Sequence, residues 1–175
     1  MRVIGGEFRS RVIKSLPGLE VRPTPDRLRE TLFNVLAPRI AGATFIDAYA
    51  GTGAVGIEAL SRGAGRAIFL EQNRAAADLI KENLKSLGIE KRADVRLGRT
   101  TVSLRKVLGD ILFLDPPYAL DQEYATSLEI AGEDPPPLVI VQHDPRRKLE
   151  AEYGGLISTR VLKQGDNVLT FFAPK

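Results

Sequence analysis

The feature that most constrains this fold is the run from Phe45 to Gly56. A branched apolar segment ends there at Asp47, and three glycines follow in the spacing G-x-G-x-x-G before the helical run Ile57–Leu60. This pattern predicts a strand, a tight turn and a helix that begins at the turn. Glycines allow the backbone to turn sharply and allow a ligand to approach the amides of the helix N-terminus. The sequence therefore predicts a ligand-binding turn, with a turn that binds nothing as the alternative.

Acidic residues at two predicted strand ends indicate the charge of that ligand. The carboxylate of Asp47, beside the glycine turn, suits a cationic or hydroxylated ligand better than a pyrophosphate. S-adenosylmethionine carries an ammonium and a sulfonium, whereas a nicotinamide dinucleotide carries two phosphates. Glu71, at the end of the second apolar strand, is placed to accept hydrogen bonds from ribose hydroxyls. Glu71 fits both cofactors and does not separate them, whereas the charge of Asp47 shifts the balance towards S-adenosylmethionine; the motif that separates them is Asp115–Tyr118, described below.

Composition limits the class of protein. With 175 residues, of which 43% are hydrophobic and 27% charged, the chain is long enough for one core and short for two domains. The absence of cysteine excludes disulfides and thiol catalysis, and the single histidine, His143, excludes a site of several histidines. We expect no metal and a structural role for His143. Without a run of about eighteen apolar residues or a secretory signal, we expect a cytoplasmic monomer with no membrane partner.

Basic residues are unevenly distributed along the chain. The net charge is +3, and arginine and lysine are frequent in residues 2–29 but absent from residues 111–145. A basic N-terminal arm beside an acidic region is typical of a nucleic-acid contact, because phosphate neutralisation drives sequence-independent affinity. A solvated charged surface is the alternative.

The order of the predicted elements indicates one α/β domain over residues 1–175, with residues 1–22 as a basic hairpin extension. A helix is predicted over 25–36, with Thr24 as its N-cap and Pro25 as its first residue. Strands and helices then alternate, which favours a mostly parallel sheet. Strands are predicted at 43–48, 66–71, 93–97, 110–115, 138–143, 157–163 and 167–173, and helices at 53–62, 73–87, 100–108 and 121–131. The turn at Gly165–Asn167 is too short for a parallel crossover, so the last two strands must form an antiparallel hairpin.

The tetrapeptide Asp115–Tyr118 follows the apolar strand Ile111–Leu114 and indicates chemistry on an exocyclic amine of a base. Such an amine is a poor nucleophile because its lone pair is conjugated into the ring. A carboxylate and a backbone carbonyl can accept its two N–H bonds and turn the lone pair towards an electrophile. Prolines stiffen the loop, and Tyr118 can stack on the base. An ordinary proline-rich turn is the alternative.

These motifs together resemble a known family. The series Asp47-x-Tyr49-x-Gly51-x-Gly53, Glu71 and Asp115–Tyr118, on successive strand ends, resembles the class I S-adenosylmethionine-dependent amino-methyltransferases, which have a Rossmann-like fold with seven strands. The segment from Arg22 to Asn34 resembles the N-terminal signature of the bacterial 16S ribosomal RNA guanine-N2 methyltransferases, and Met1–Gly6, Gly51–Ala64, the turn at Gly165 and the overall length agree with it. The resemblance implies methyl transfer from S-adenosylmethionine to N2 of a guanine in 16S rRNA, within the small ribosomal subunit or an assembly intermediate.

The resemblance also implies roles for individual residues. The catalytic set is Asp115, Pro116, Pro117 and Tyr118; the cofactor-binding set is Asp47, Tyr49, Gly51, Thr52, Gly53, Glu71, Gln72 and Arg99; the RNA-binding set is Arg9, Arg11, Arg22, Thr24, Arg27 and Arg29. The chain departs from the family at Gly98–Thr100, where an acidic residue often meets the adenine amine. Because an arginine side chain cannot accept a hydrogen bond, this contact is expected to fall to backbone groups.

Three other functions are compatible with parts of the sequence. An adenine-N6 methyltransferase acting on DNA or RNA would use the same core, because the Asp115–Tyr118 tetrapeptide also occurs in such enzymes. A non-catalytic RNA-binding module on a decayed core is disfavoured by the intact acidic residues Asp47, Glu71 and Asp115. A dehydrogenase would leave the tetrapeptide without a task. For a base methyltransferase, unpaired or loop RNA is the expected substrate, because the target base must leave its stack.

Overall fold

Strands and helices alternate after Ile40 as the sequence predicts. The computed structural model describes residues 1–18 and 24–175, so the predictions for Arg22 and Pro23 lie outside the described residues. The described strands are β1 Thr44–Ala48, β2 Arg66–Glu71, β3 Ala93–Leu97, β4 Ile111–Leu114, β5 Leu138–His143, β6 Glu152–Tyr153, β7 Leu156–Gln164 and β8 Asn167–Pro174. The described α-helices are α1 Asp26–Ile40, α2 Ala54–Ser61, α3 Arg74–Leu87, α4 Thr100–Ser103 and α5 Asp121–Glu133.

All these strands form one sheet in the order β3-β2-β1-β4-β5-β8-β7-β6. Strands β1 to β5 pair in parallel, whereas β8 is antiparallel to both β5 and β7. The predicted Rossmann-like, mostly parallel sheet with a terminal antiparallel hairpin is therefore confirmed. The count of seven strands is wrong by one, because β6 has only two residues, too few for alternation to reveal it.

The sheet is covered on both faces, and alternation along each strand decides which side chain enters which layer. Phe45 of β1 and Phe113 of β4 point to the layer of α1, α2 and α3, with ring centroids 6.5 Å apart. Ile46 and Leu112, one residue along, point to the opposite layer and pack with Leu128 of α5. This burial on both faces explains why the central strands are continuous apolar runs.

Two helices differ from prediction by more than two residues at a boundary. Helix α1 begins at Asp26, with Pro25 rather than Thr24 at the N-cap position, and it continues through Pro38 to Ile40. Ile40 is buried, and its burial offsets the hydrogen bond that Pro38 cannot donate. The helix predicted over 100–108 is only the single turn α4, continued by a 3-10 turn over Leu104–Lys106.

The predicted N-terminal hairpin is present in a reduced form. A single antiparallel bridge joins Arg2 to Val12, and the segment packs on α2. The carboxylate of Glu58 on α2 accepts hydrogen bonds from the amides of Ile4 at 2.8 Å and Gly5 at 2.9 Å. Glu58 is fully buried, so a core carboxylate holds the extension in place.

Arg29 completes this buried cluster and is not an RNA contact. Its side chain is 0% exposed, with Nη1 3.9 Å from the Glu58 carboxylate. Its Nη2 donates to the carbonyl of Arg2 at 2.9 Å and to the carboxylate of Asp26 at 2.7 Å. A guanidinium that is enclosed in this way cannot reach a phosphate, so the prediction that Arg29 binds RNA is wrong. Its charge instead balances that of Glu58.

Candidate active site

The glycine turn between β1 and α2 has the geometry that its spacing predicts. Gly53, at the N-cap position of α2, has φ of +81°, a left-handed conformation that favours glycine. A Cβ atom on Gly56 would lie 2.3 Å from a ring carbon of Phe69, so the third glycine lets α2 approach β2 closely. The amide of Gly56 donates to Oδ2 of Asp47 at 2.9 Å, which ties the strand end to the helix N-terminus.

Asp47 lies beneath this turn and is only 2% exposed. Burial raises the pKa of its carboxyl well above the ordinary value of 3.8, the hydrogen bond from Gly56 lowers it, and the charges of Asp115 and Glu71 raise it further. Asp115 and Glu71, from the ends of the two strands that flank β1, are thus close enough to repel the charge of Asp47. A positively charged ligand would relieve this repulsion.

Glu71 connects two of the loops at this end of the sheet. One carboxylate oxygen accepts from the amide of Gly51 at 2.7 Å, and the other accepts from the amide of Asn73 at 3.0 Å. Asn73 in turn caps α3, as the sequence predicts, by accepting from the amide of Ala76 at 3.0 Å. Each oxygen of Glu71 has a further acceptor site, so a ribose hydroxyl can still bind to the fixed carboxylate.

A cavity of about 380 Å³ lies at the carboxyl ends of the parallel strands. Its wall is formed by Tyr49, Gly51, Glu71, Gln72, Thr100, Asp115, Pro116, Pro117, Tyr118, Ala119 and Gln142. The strand order reverses between β1 and β4 at this place, which is where ligands bind in open α/β sheets. Two further cavities, of about 410 and 440 Å³, contain neither Glu71 nor any residue of the tetrapeptide.

The wall includes the whole predicted catalytic set and part of the predicted cofactor-binding set. Asp47, Thr52 and Gly53 lie in the strand end and turn rather than in the wall, and Arg99 is exposed ahead of α4. Its neighbour Thr100 contributes to the wall instead, as do Ala119 and Gln142, which sequence reasoning missed. Gln142 could have been found, since it is a polar residue near the end of an apolar strand that neighbours β4.

Tyr49 lines the cavity, and its hydroxyl is bonded to α5. The residue has φ of +63°, a strained conformation for a side chain of this size. Its hydroxyl lies 2.5 Å from Oε2 of Glu123 and 2.7 Å from Oγ of Ser127, both on α5. Burial is the main cause that raises the pKa of the Tyr49 hydroxyl, and the bond to Glu123 raises it further. These bonds to α5 hold the strained residue in place.

The tetrapeptide Asp115–Tyr118 is held by side chains outside it. The hydroxyl of Tyr124, on α5, donates to the carbonyl of Pro116 at 2.9 Å. Nη2 of Arg147, in the loop after β5, donates to the carbonyl of Tyr118 at 3.1 Å. The backbone of the loop is thus fixed at its second and fourth residues.

The predicted RNA-binding residues differ in exposure. Arg9, Arg11 and Arg27 are exposed, although Nη2 of Arg11 donates to the carbonyl of Ser86 at 3.0 Å. Thr24 is buried, and its Oγ1 lies 3.5 Å from Oε1 of Gln142 in the cavity wall. The start of α1 therefore lies next to the cavity, with Arg27 exposed on its first turn.

His143 has the structural environment expected for it. Its Nδ1 donates to the carbonyl of Asp144 at 2.8 Å, so Nε2 accepts from Oγ1 of Thr170 at 2.7 Å in the neutral ring. Burial lowers its pKa.

Within residues 1–18 and 24–175, no group of three or more acidic or histidine side chains is arranged to hold a metal ion. Nor does that part of the chain contain a helix long and apolar enough to span a bilayer.

The reversed strand order, the glycine turn and the acidic cavity define the Rossmann-like fold class that methyltransferases use. The family model described as Conserved hypothetical protein 95 matches residues 1–173, and the chain belongs to this family.

Named relatives agree with the family resemblance that the sequence indicated. YlbH of Bacillus subtilis (strain 168), provisionally named as an rRNA methyltransferase, is 34% identical over 169 residues, which are 91% of this chain and 91% of the relative. Ribosomal RNA small subunit methyltransferase D of Escherichia coli (strain K12) is 42% identical over 121 residues, 67% of this chain and 60% of the relative. A solved Escherichia coli structure, provisionally named as the methyltransferase yhhF, has a TM-score of 0.88 and 29% identity, and the match covers 100% of this chain and 98% of that one. The predicted resemblance is thus confirmed at the level of the family.

Proposed function

We propose that this protein transfers a methyl group from S-adenosylmethionine to the exocyclic N2 amine of a guanine in 16S rRNA. The observation that carries the proposal is the cavity in which Glu71 and the tetrapeptide Asp115–Tyr118 share one wall. A relative that carries the name ribosomal RNA small subunit methyltransferase D supports the choice of RNA. The guanine-N2 position is the finer part of the proposal and follows from the N-terminal signature.

The charges of the site fit S-adenosylmethionine better than a dinucleotide. Asp47, Glu71 and Asp115 converge there, and the raised pKa of Asp47 reflects burial first and the charges of the other two as well. A cationic ligand lowers the cost of keeping them ionised, whereas two phosphates would increase it. This is the structural argument against a dehydrogenase.

Different residues of the site are expected to hold different parts of the cofactor. Asp47 and the turn Gly51–Gly53 would hold its amino-acid end, and Glu71, already oriented by the amides of Gly51 and Asn73, would hold the ribose. Gln72 and Thr100 lie on the same wall, where the adenine contact is expected. When bound, S-adenosylmethionine supplies a methyl group activated by the sulfonium.

The tetrapeptide performs the part of the reaction that belongs to the protein. The Asp115 carboxylate and the Pro116 carbonyl accept the two N–H bonds of the guanine amine, which turns its lone pair out of conjugation. Asp115 can also accept the proton that the nitrogen loses after it gains the methyl group. The ring of Tyr118 stacks on the base and excludes water. Positioning and fixed acceptors together supply several kcal/mol without a metal.

RNA would approach the cavity over the start of α1. Arg27 is exposed at the start of α1, next to the cavity, and Arg9 and Arg11 are exposed in the segment that packs near the ends of α2 and α3. All three can neutralise phosphates, and Arg22, outside the described residues, stays a prediction. The target guanine must leave its stack, so an unpaired segment of 16S rRNA in the small subunit is the expected substrate. We expect a monomer acting in the cytoplasm, where ribosomes assemble.

Transfer of labelled methyl groups tests this proposal. S-adenosylmethionine would be supplied with small subunits that lack the modification, with naked 16S rRNA and with duplex DNA, followed by nucleoside analysis. N2-methylguanosine from the ribosomal substrates is the expected product. Methyladenine would overturn the guanine assignment in favour of an adenine-N6 enzyme, and binding of the cofactor without transfer to any substrate would favour a binding module.

A matched pair of variants assigns the activity to the site. Asp115→Ala should retain binding of S-adenosylhomocysteine while turnover falls by about a hundredfold or more. Asp134→Ala removes an exposed carboxylate that follows α5 and lines a different cavity, so it should leave turnover unchanged. Equal turnover in both variants would remove Asp115 from its role.

A further inference from the structure

Two side chains outside the tetrapeptide fix the carbonyl groups of the Asp115–Tyr118 loop. Tyr124 is 2% exposed, and its hydroxyl donates to the carbonyl of Pro116 at 2.9 Å. Burial, followed by the charge of Asp115, raises the pKa of this phenol, so the hydroxyl is a donor at neutral pH. The side chain comes from α5, on the layer opposite to the glycine turn.

Arg147 fixes both the loop and Tyr124. The carbon at the centre of its guanidinium lies 3.9 Å from the centroid of the Tyr124 ring, in a stacked cation–π contact. Its Nη2 donates to the carbonyl of Tyr118 at 3.1 Å and to Oδ1 of Asp121 at 2.7 Å. The side chain is only 14% exposed, so the protein encloses most of it.

The direction of the Pro116 carbonyl matters because of the task that the loop has in methyl transfer. This carbonyl and the Asp115 carboxylate are the two acceptors for the amine. A carbonyl oxygen has two lone pairs, so the hydroxyl of Tyr124 can occupy one and leave the other for an N–H of the base. The hydroxyl thereby sets the angle of the remaining lone pair. Errors of about 1 Å in the placement of reacting groups can cost about a hundredfold in rate.

We propose that Tyr124 and Arg147 are positioning residues for methyl transfer: Tyr124 orients the Pro116 carbonyl, and Arg147 holds the ring of Tyr124 and the carbonyl of Tyr118. The inference rests on the proposed function, since the loop must present acceptors to an amine. Neither side chain lines the cavity of the cofactor and base. Their effect is therefore on the orientation of the loop and not on the binding of the cofactor.

Tyr124→Phe tests the inference because it removes one hydroxyl and leaves the ring and its packing. The expected result is a fall in kcat of about tenfold to a hundredfold, with the KM for S-adenosylmethionine and the Kd for S-adenosylhomocysteine within twofold of wild type. Tyr153→Phe is the matched control. Its hydroxyl, in the same hydrophobic layer, accepts from the amide of Glu150 at 2.9 Å and not from a group of the tetrapeptide, so the turnover of this variant should be unchanged.

Arg147→Lys provides a second and independent variant should Tyr124→Phe fold poorly. Lysine keeps the charge beside Asp121 but lacks the planar group that stacks on Tyr124 and bonds the loop. It should also lower kcat without changing cofactor affinity. In the double variant the loss should be smaller than the product of the two single losses, because both side chains act on one loop.

The outcomes separate the inference from the function on which it rests. If wild-type protein methylates guanine and both variants keep kcat within twofold, the inference is wrong and the proposed function stands. Parallel losses of kcat and of cofactor affinity would also overturn it, since they indicate a general structural defect. If wild-type protein transfers no methyl group to any substrate, the proposed function fails and the inference fails with it.

Discussion

Replacing Glu58 by glutamine should destabilise the protein strongly, because Glu58 is the one charged residue of a helix that is buried along its whole length. The carboxylate is fully buried and accepts hydrogen bonds from the amides of Ile4 and Gly5 and from Nε of Arg62, at 2.8, 2.9 and 2.9 Å. A glutamine side chain has one acceptor oxygen and turns an NH₂ group towards donors on its other side. It also leaves the buried guanidinium of Arg29 without its buried counter-charge.

The magnitude follows from these contacts. Removing one partner from a buried ion pair costs about 3–5 kcal/mol, because the other charge stays buried. Asp26 still pairs with Arg29 at 2.7 Å, which favours the lower end of this range. We therefore expect Glu58→Gln to lower the free energy of unfolding by about 3 kcal/mol. For a chain of this length that corresponds to a fall in Tm of about 6–12 °C.

Urea unfolding followed by far-UV circular dichroism at pH 7 measures the change, and the slope m shows whether the two-state description still applies. Glu133→Gln is the control. The N···O distance between Glu133 and Arg105 is 2.9 Å, equal to the distance between Glu58 and Arg62, but the side chains of Glu133 and Arg105 are both more than half exposed. The control should change the free energy by less than about 0.5 kcal/mol. Trypsin should also cleave at Arg9 and Arg11 faster in Glu58→Gln. A Glu58→Gln variant as stable as the control would refute the idea that the buried carboxylate holds the N-terminal extension.

Three further predictions concern the turn, the strand end and the arm. Because the pKa of the Asp47 carboxyl is raised, the folded state binds this proton more tightly than the unfolded state does. The protonated carboxyl therefore contributes stability in full below the ordinary pKa of 3.8, and this contribution is lost as pH rises through the folded pKa. Asp47→Asn should therefore raise the Tm at pH 7 and weaken binding of S-adenosylmethionine by calorimetry; an unchanged Tm would contradict the cost assigned to this charge. Gly56→Ala should cost about 1–3 kcal/mol in chemical unfolding, since its Cβ would meet the ring of Phe69 at 2.3 Å. Replacing Arg9 and Arg11 by glutamine should weaken RNA binding and flatten its dependence on salt concentration, and a slope equal to that of wild type would remove the arm from the RNA contact.

The central sheet was predictable from sequence because its strands are apolar runs bounded by turn residues. The predicted bounds of β2 and β5 are those observed, 66–71 and 138–143. The meeting of Glu71 with the tetrapeptide was predictable as well, since the carboxyl ends of parallel strands lie at one edge of the sheet. Local pattern and topology were sufficient for both.

Pairings between distant segments were not predictable in the same way. Arg29 looks like the neighbouring exposed Arg27 in sequence, and only the partner on α2 decides that it is buried. The charge pattern of one segment contains no information about a carboxylate that approaches from another layer. Tyr124 and Arg147 were missed for the same reason, because their link to the tetrapeptide exists only once α5 and the loop after β5 have packed.

The reversal of strand order between β1 and β4 divides the cavity into two halves with separate origins. The half expected to hold the cofactor is built from the ends of β1 and β2 and from Thr100 of α4, and the half expected to hold the base from the loop after β4 and the end of β5. Because each half comes from its own run of the chain, a chimera that exchanges the second half can acquire a different target base while keeping the expected methyl donor. In this architecture, a change of substrate and a change of donor are separate steps for evolution and for a protein engineer.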